Sequence, residues 1–268
     1  MRRILQFAAV AALAGMALSG CTANIFSSMD PPPDPPSDAN MLESATTDLA
    51  GFLEDVDTYL DDGTLSGDTA LAAATALSST YTDAGGTFTV APTSATPEQQ
   101  EASARAGTIR LLSSDDTTTL VNNFSSLVGD LTVQDDTGTT TLTPESALET
   151  LFADTAGDIA EFTAMLDVLS AAANDFSFFA QTDPATNDPG FTSGEEGDIA
   201  QMAVLSIVVD TARGLVSDAD LYEIVNGTKT FDDLAVTEDP LDQLDAAGGD
   251  LNNILTYVGF PLDETTNP

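Results

Sequence analysis

Ser193-Gly194-Glu195-Glu196-Gly197-Asp198-Ile199-Ala200-Gln201-Met202-Ala203-Val204-Leu205-Ser206-Ile207-Val208-Val209 is the stretch on which the fold turns. Ser193 and Glu196 have the spacing of a capping box, in which each side chain accepts a bond from the other's backbone N–H. After the box, Ile199, Met202, Ala203, Val204, Leu205, Ile207, Val208 and Val209 leave little polar surface at any angle around a helix. A helix apolar nearly all round belongs inside a protein or a membrane. The run from Ile199 to Val209 is well short of the roughly 20 residues that cross a bilayer. The stretch therefore predicts the buried centre of a helical bundle.

Downstream, Ser217 caps a short helix through Leu221, Ile224 and Val225 that stops at Gly227. Lys229 to Asp239 reads as a polar connector. Leu241, Leu244, Leu251, Ile254, Leu255 and Val258 then mark one or two closing helices. Upstream, Thr182 to Gly194 contains Asp183-Pro184 and Asp188-Pro189-Gly190, turn residues that predict an exposed loop. Before it, a helix begins at Gly157-Asp158-Ile159-Ala160 and continues through Phe162, Met165, Leu166 and Leu169. The same four residues recur as Gly197-Asp198-Ile199-Ala200. This echo looks faintly like the tetratricopeptide or HEAT class of helical solenoids, whose repeats have such a period, although convergent helix starts give the same pattern.

Towards the N-terminus, Thr143-Pro144-Glu145 is a cap signature ahead of Leu148, Leu151 and Phe152. Leu131 to Gln134 and Thr139 to Leu142 flank Asp135-Asp136-Thr137-Gly138 as a candidate hairpin. A helix from about Asp116 to Leu131 carries Leu120, Phe124 and Leu127 on one face. Thr96-Pro97-Glu98 opens another that reaches Leu112. Thr87-Phe88-Thr89-Val90 alternates and reads as a short strand. Asp68 to Thr82 forms an alanine-rich helix. Asn40, with Glu43 as its capping-box partner, starts one of about twenty residues bearing Leu42, Ala45, Leu49, Phe52, Leu53, Val56 and Leu60. The fold class is mainly α: an irregular helical bundle or short helical-hairpin solenoid, with a small β-hairpin or three-stranded sheet as an addition.

Ahead of the helices, Asp30-Pro31-Pro32-Pro33-Asp34-Pro35-Pro36 is incompatible with helix or central strand and predicts an extended polyproline II spacer. Before it stand Arg2 and Arg3, an apolar run from Ile4 to Leu18, and then Leu18-Ser19-Gly20-Cys21. A positive start, a short apolar stretch and a small-residue end make a secretory signal peptide. Its end resembles the lipobox of bacterial lipoproteins. That resemblance implies cleavage between Gly20 and Cys21, a diacylglycerol on the Cys21 sulfur and further acylation such as palmitate. Thr22, where retained lipoproteins carry Asp, implies transfer to the outer membrane in a bacterium with two membranes. Cys21 is also the only cysteine of the chain, so no intramolecular disulfide competes for it. The expected organisation is 1–20 signal peptide, 21–40 lipidated Cys and Pro/Asp-rich tether, 41–262 a single helical domain, and 263–268 a flexible tail.

The 268 residues include 44 acids and 6 basic residues. Removing Arg2 and Arg3 leaves Arg105, Arg110, Arg213 and Lys229 against 44 acids, a net charge of about −40. Such a surface repels phosphate backbones, so a nucleic-acid partner is not expected. It repels anionic headgroups as well, so only the lipid is expected to touch the membrane. An acidic surface suited to a saline habitat is the plainest reading of the charge.

Catalytic motifs are mostly missing. Without histidine, and with Cys21 committed to lipid, Ser-His-Asp and Cys-His mechanisms and histidine-ligated zinc are excluded. No phosphate-binding glycine loop and no nucleophile-elbow motif is present. Neither an enzyme nor a resident cofactor is expected. Loosely bound cations such as calcium have candidates in Asp55, Asp57, Asp61 and Asp62, and in Asp183, Asn187, Asp188, Glu195 and Glu196, but neither set has EF-hand spacing. Two roles remain: a lipid-anchored helical scaffold or interaction module with a protein partner in the cell envelope, or a small-molecule-binding accessory lipoprotein of a transport system. A closed pocket of ligand size would favour the second, and an open groove the first.

Overall fold

The computed structural model describes residues 37–61, 65, 67–133, 144–155, 157–185, 189–230, 233 and 240–258. The expected signal peptide, lipidation site Cys21, proline-rich part of the tether and tail, and the candidate residues Asp62, Asn187 and Asp188, lie outside the described residues. The described part is helical: α1 (Asp38–Thr47), α2 (Leu49–Asp61), α3 (Gly67–Ser78), α4 (Pro97–Leu112), α5 (Asp115–Val133), α6 (Pro144–Leu151), α7 (Ile159–Gln181), α8 (Ser193–Leu215), α9 (Asp218–Val225) and α10 (Pro240–Tyr257). It is an irregular helical bundle, and no strand occurs among the described residues. No single described helix is long and apolar enough to cross a membrane; α8 and α9 would be only together, and they meet at a bend of 114°.

Two hydrophobic cores fill the bundle. The N-terminal core joins α1, α2 and α3 to one face of α4 and is made largely of alanine: Ala45, Ala70, Ala73, Ala74, Ala76, Ala102 and Ala106, with Phe52, Tyr81 and Phe178 as its large members. The main core runs from α5 to α10 and carries Phe124, Phe152, Phe162, Phe176, Phe179 and Phe191. Two helices serve both. From α4, Ala102, Ala106 and Ile109 enter the first core, while Ala104 and Leu111 enter the second. From α7, Phe178 crosses to the N-terminal core while Phe176 and Phe179 stay in the main one.

The centre of the bundle is therefore α4 with α7, and not α8 as the apolar run predicts. On α8, Ile199, Ala200, Ala203 to Ile207 and Val209 are buried, but Met202 and Val208 are half-buried. Two small residues explain the central place of α4. A Cβ on Gly107 would lie 2.7–2.9 Å from ring carbons of Phe176, so only glycine lets the helices approach this closely. Ser103, fully buried, returns its hydroxyl to the Gln100 carbonyl at 2.7 Å and presents an otherwise apolar contact.

The expected N-terminal helix is two. Asp48 breaks it at φ −149° and ψ 76°, and its carboxylate accepts a bond from Gly51 N–H at 3.2 Å, starting α2 afresh. Thr46 and Thr47 turn their hydroxyls back to the Leu42 and Glu43 carbonyls at 2.7–3.0 Å, a habit that weakens helices. The first turn also starts earlier, with Ser37 at the cap position, so Asn40 lies inside α1 and does not cap it. The buried face shifts with it: Met41 is buried and Leu42 is exposed.

Other local expectations differ by a residue or an element. Thr192, not Ser193, caps α8: Glu195 N–H donates to its hydroxyl at 3.4 Å, and Thr192 N–H donates to the Glu195 carboxylate at 2.9 Å. Asp158 caps α7, whereas Asp198 lies within α8, so the Gly-Asp-Ile-Ala echo occupies different helical positions and marks no structural repeat. Thr87 to Val90 forms no strand; a single antiparallel bridge joins Thr82 to Phe88. Leu131 to Val133 belong to α5, which runs through the point where a hairpin would begin. The rest of that hairpin lies outside the described residues. The loop after α7 is anchored, with Thr182, Pro184 and Phe191 buried. Thr96 and Gln99 form the capping box of α4, and Ser217 caps α9 through Asp220 N–H, at the expected positions.

Candidate functional site

Four of the six basic residues, Arg105, Arg110, Arg213 and Lys229, lie among the described residues, and they mark where charge is organised. Each one is an ion-pair junction, three of them between helices. Arg105 of α4 holds Asp57 of α2 at 3.0 Å and Glu195 of α8 at 2.9 Å, and its guanidinium lies 4.9 Å from the Phe191 ring centroid. Arg213 of α8 holds Asp167 of α7 at 2.6 Å and Asp218 of α9 at 2.9 Å, and donates to Ser170 at 3.0 Å. Lys229 pairs with Asp220 and Glu223 just behind α9.

Arg110 makes the most buried junction. Its Nε donates to Asp175 Oδ2 at 2.7 Å and its Nη2 to Ser78 Oγ at 3.0 Å. Tyr81 donates to the other Asp175 oxygen at 2.7 Å, and Ser78 Oγ lies 2.8 Å from it. Asp175 is 1% exposed. Burial pushes its carboxyl above the ordinary value, against the opposing pull of Arg110, Tyr81 and Ser78. Burial and the neighbouring Asp175 push the Tyr81 phenol well above its own. This polar seam joins α3, α4 and α7 where the two cores meet. Its hydroxyls and carboxylate are bonded to one another, and no described recess is lined by them. The seam holds α3, α4 and α7 together. The sequence reading missed it, although one signal was there: Asp175 interrupts the buried stripe Ala172, Ala173, Phe176 and Phe179.

Of the acids singled out for cations, Asp57 and Glu195 meet at Arg105, while Asp62, Asn187 and Asp188 lie outside the described residues. Asp55, Asp57 and Asp61 lie on α2, where Asp57 is taken by Arg105. Asp183 follows α7 at φ 56°, a left-handed position that Asp tolerates. Glu195 is used by its cap and by Arg105: burial would raise its carboxyl, but the Thr192 and Arg105 bonds outweigh it and hold it below the ordinary value. No group of three or more metal-ligating side chains occurs among the described residues.

Two open recesses mark the described surface. One, of about 590 Å³, lies beside the α1–α2 break and includes Thr47, Asp48, Thr80 and Glu98. The other, of about 460 Å³, lies between α7, α8 and α10 and includes Ala173, Ile207, Asp210, Ala247 and Asp250. Burial pushes the Asp250 carboxyl up, with Ser177 and Gln181 as its opposing donors. No protein-family model, no curated protein and no solved structure matches the chain.

Proposed function

We propose that the chain is an exported, lipid-anchored envelope protein that serves as an acidic helical scaffold or interaction module and carries out no catalysis. The observation that carries the reading is Leu18-Ser19-Gly20-Cys21 behind its basic and apolar stretches. Two or more acyl chains on Cys21 would hold the protein on its bilayer, since each buried methylene contributes about 0.8 kcal/mol. Thr22 favours the outer membrane, and the Pro/Asp-rich tether would stand the acidic bundle off the headgroups. The buried seam supports the absence of catalysis, because its polar groups are spent on each other. The open form of both recesses favours an interaction module over a carrier that encloses a small molecule.

Fractionation and intact mass of the wild type and of Cys21→Ala test the reading. The expected result is a membrane-bound wild type, beginning at Cys21 with the mass of its acyl chains, and a variant released from the membrane. Equal solubility of both proteins, with no acyl mass, would overturn it.

A further inference from the structure

The groove between α7, α8 and α10 combines two surfaces that rarely coincide. Its apolar part comes from Ala173, Ile207 and Ala247, small or buried side chains that leave a trough. Its polar lining has the hydroxyls of Ser170, Ser177 and Thr211 and two carboxylates, Asp210 on α8 and Asp250 on α10. Arg213 also borders the groove, but it is engaged by Asp167, Asp218 and Ser170, so it offers no charge to balance the two acids. Among the described residues nothing donates to Asp210, and Asp250 receives only neutral donors, Gln181 at 3.4 Å and Ser177. An apolar trough beside uncompensated carboxylates fits a side chain with an aliphatic stem and a cationic head. At about 460 Å³ it has room for such a side chain with part of the backbone that carries it.

We propose that this groove docks a basic segment of an envelope protein, an arginine or lysine side chain lying along Ala173, Ile207 and Ala247 with its head at Asp210 and Asp250. The proposal rests on the interaction-module reading and names the partner's chemistry. The overall charge of about −40 steers any cation to the protein; the groove is what selects one site on it.

The test is binding of a capped glycine-serine peptide with one central arginine to the full chain in a neutral detergent, measured by titration. The same peptide with citrulline, which keeps the shape and removes the charge, is the comparison. Asp210→Asn combined with Asp250→Asn should weaken the arginine peptide by about tenfold or more, the scale of a lost charge-assisted pair. Asp115→Asn combined with Asp116→Asn removes the same charge from the start of α5 and should change it less than about twofold, since exposed charges contribute little. Thr211→Lys, which sets a cation at the groove without removing an acid, should also abolish binding, and it serves if the first pair of substitutions impairs folding. Equal weakening by both asparagine pairs would reduce the effect to diffuse attraction and overturn the proposal. So would equal binding of the citrulline peptide, or tight binding by Thr211→Lys. Lipid attachment is read separately in Cys21→Ala, so failure of the anchor and failure of the groove are distinguishable.

Discussion

The two cores solve the same packing problem with different materials. The N-terminal core uses alanine, and its helices gain stability from close approach, with little area buried per side chain. The main core uses phenylalanines in edge-to-face contacts, such as Phe152 with Phe162 at 5.3 Å and Phe179 with Tyr257 at 5.5 Å. At the junction the chain uses polar chemistry: Arg110, Asp175, Tyr81 and Ser78, with Phe178 stacked on Tyr81 at a ring distance of 4.4 Å. The seam ties α3 to α4 and α7, and with them the N-terminal core to the main one.

The largest effect should come from Arg110→Met, which leaves Asp175 buried and uncompensated. Breaking such a pair costs about 3–5 kcal/mol, and urea denaturation should show that loss. Phe178→Ala should cost about as much, 3–5 kcal/mol for a buried phenylalanine, and proteolysis should then find α1 to α3 first. Phe162→Ala, of equal chemistry in the main core, should loosen α6, α7 and α9 instead. If both variants expose the same segments, the contrast between the cores fails.

Gly107→Ala is the next test. In an exposed helix the change would stabilise by about 1 kcal/mol. Here the added methyl meets the Phe176 ring, and overpacking of this kind costs about 1–3 kcal/mol. A raised melting temperature would show that α4 and α7 are not in close contact.

The smallest effect is a pH dependence. Asp175 in the seam, Glu101 beside Arg105, and Asp198 and Asp250 in the main part have carboxyls raised by burial. A carboxyl raised on folding holds its proton more tightly in the folded state. Its stabilisation is complete below the unfolded value and is lost as pH rises through the folded one. Mild acid, just above the ordinary values of 3.8 and 4.5, should therefore stabilise the protein. Glu195, held low, works in the opposite direction at more acid pH. Melting temperatures that fall steadily from neutral pH would contradict the sign.

Local chemistry was legible in the sequence, and choices between distant partners were not. Thr96-Pro97 and Ser217 cap their helices as expected because a cap concerns only the next three residues. The helical class followed from periodicities repeated over the whole chain. Which helix lies at the centre did not: α4 carries Gln100, Arg105 and Arg110 along its length, and its close fit comes from Gly107 against Phe176, more than 60 residues away. The seam was hidden for the same reason: Asp175 stands out locally as an acid within an apolar stripe, but its partners Ser78, Tyr81 and Arg110 lie 65 to 97 residues away. Asp48 was missed as a break because Leu49, Phe52 and Leu53 continue an apolar face beyond it.

The central structural claim is that the seam makes the two cores one body. Native-state hydrogen exchange on the full chain tests it most directly. The slowest amides of α3 and of α7 should open with the same free energy in the wild type, and in Arg110→Met those of α3 should open first. Separate opening of α3 already in the wild type, unchanged by Arg110→Met, would contradict it.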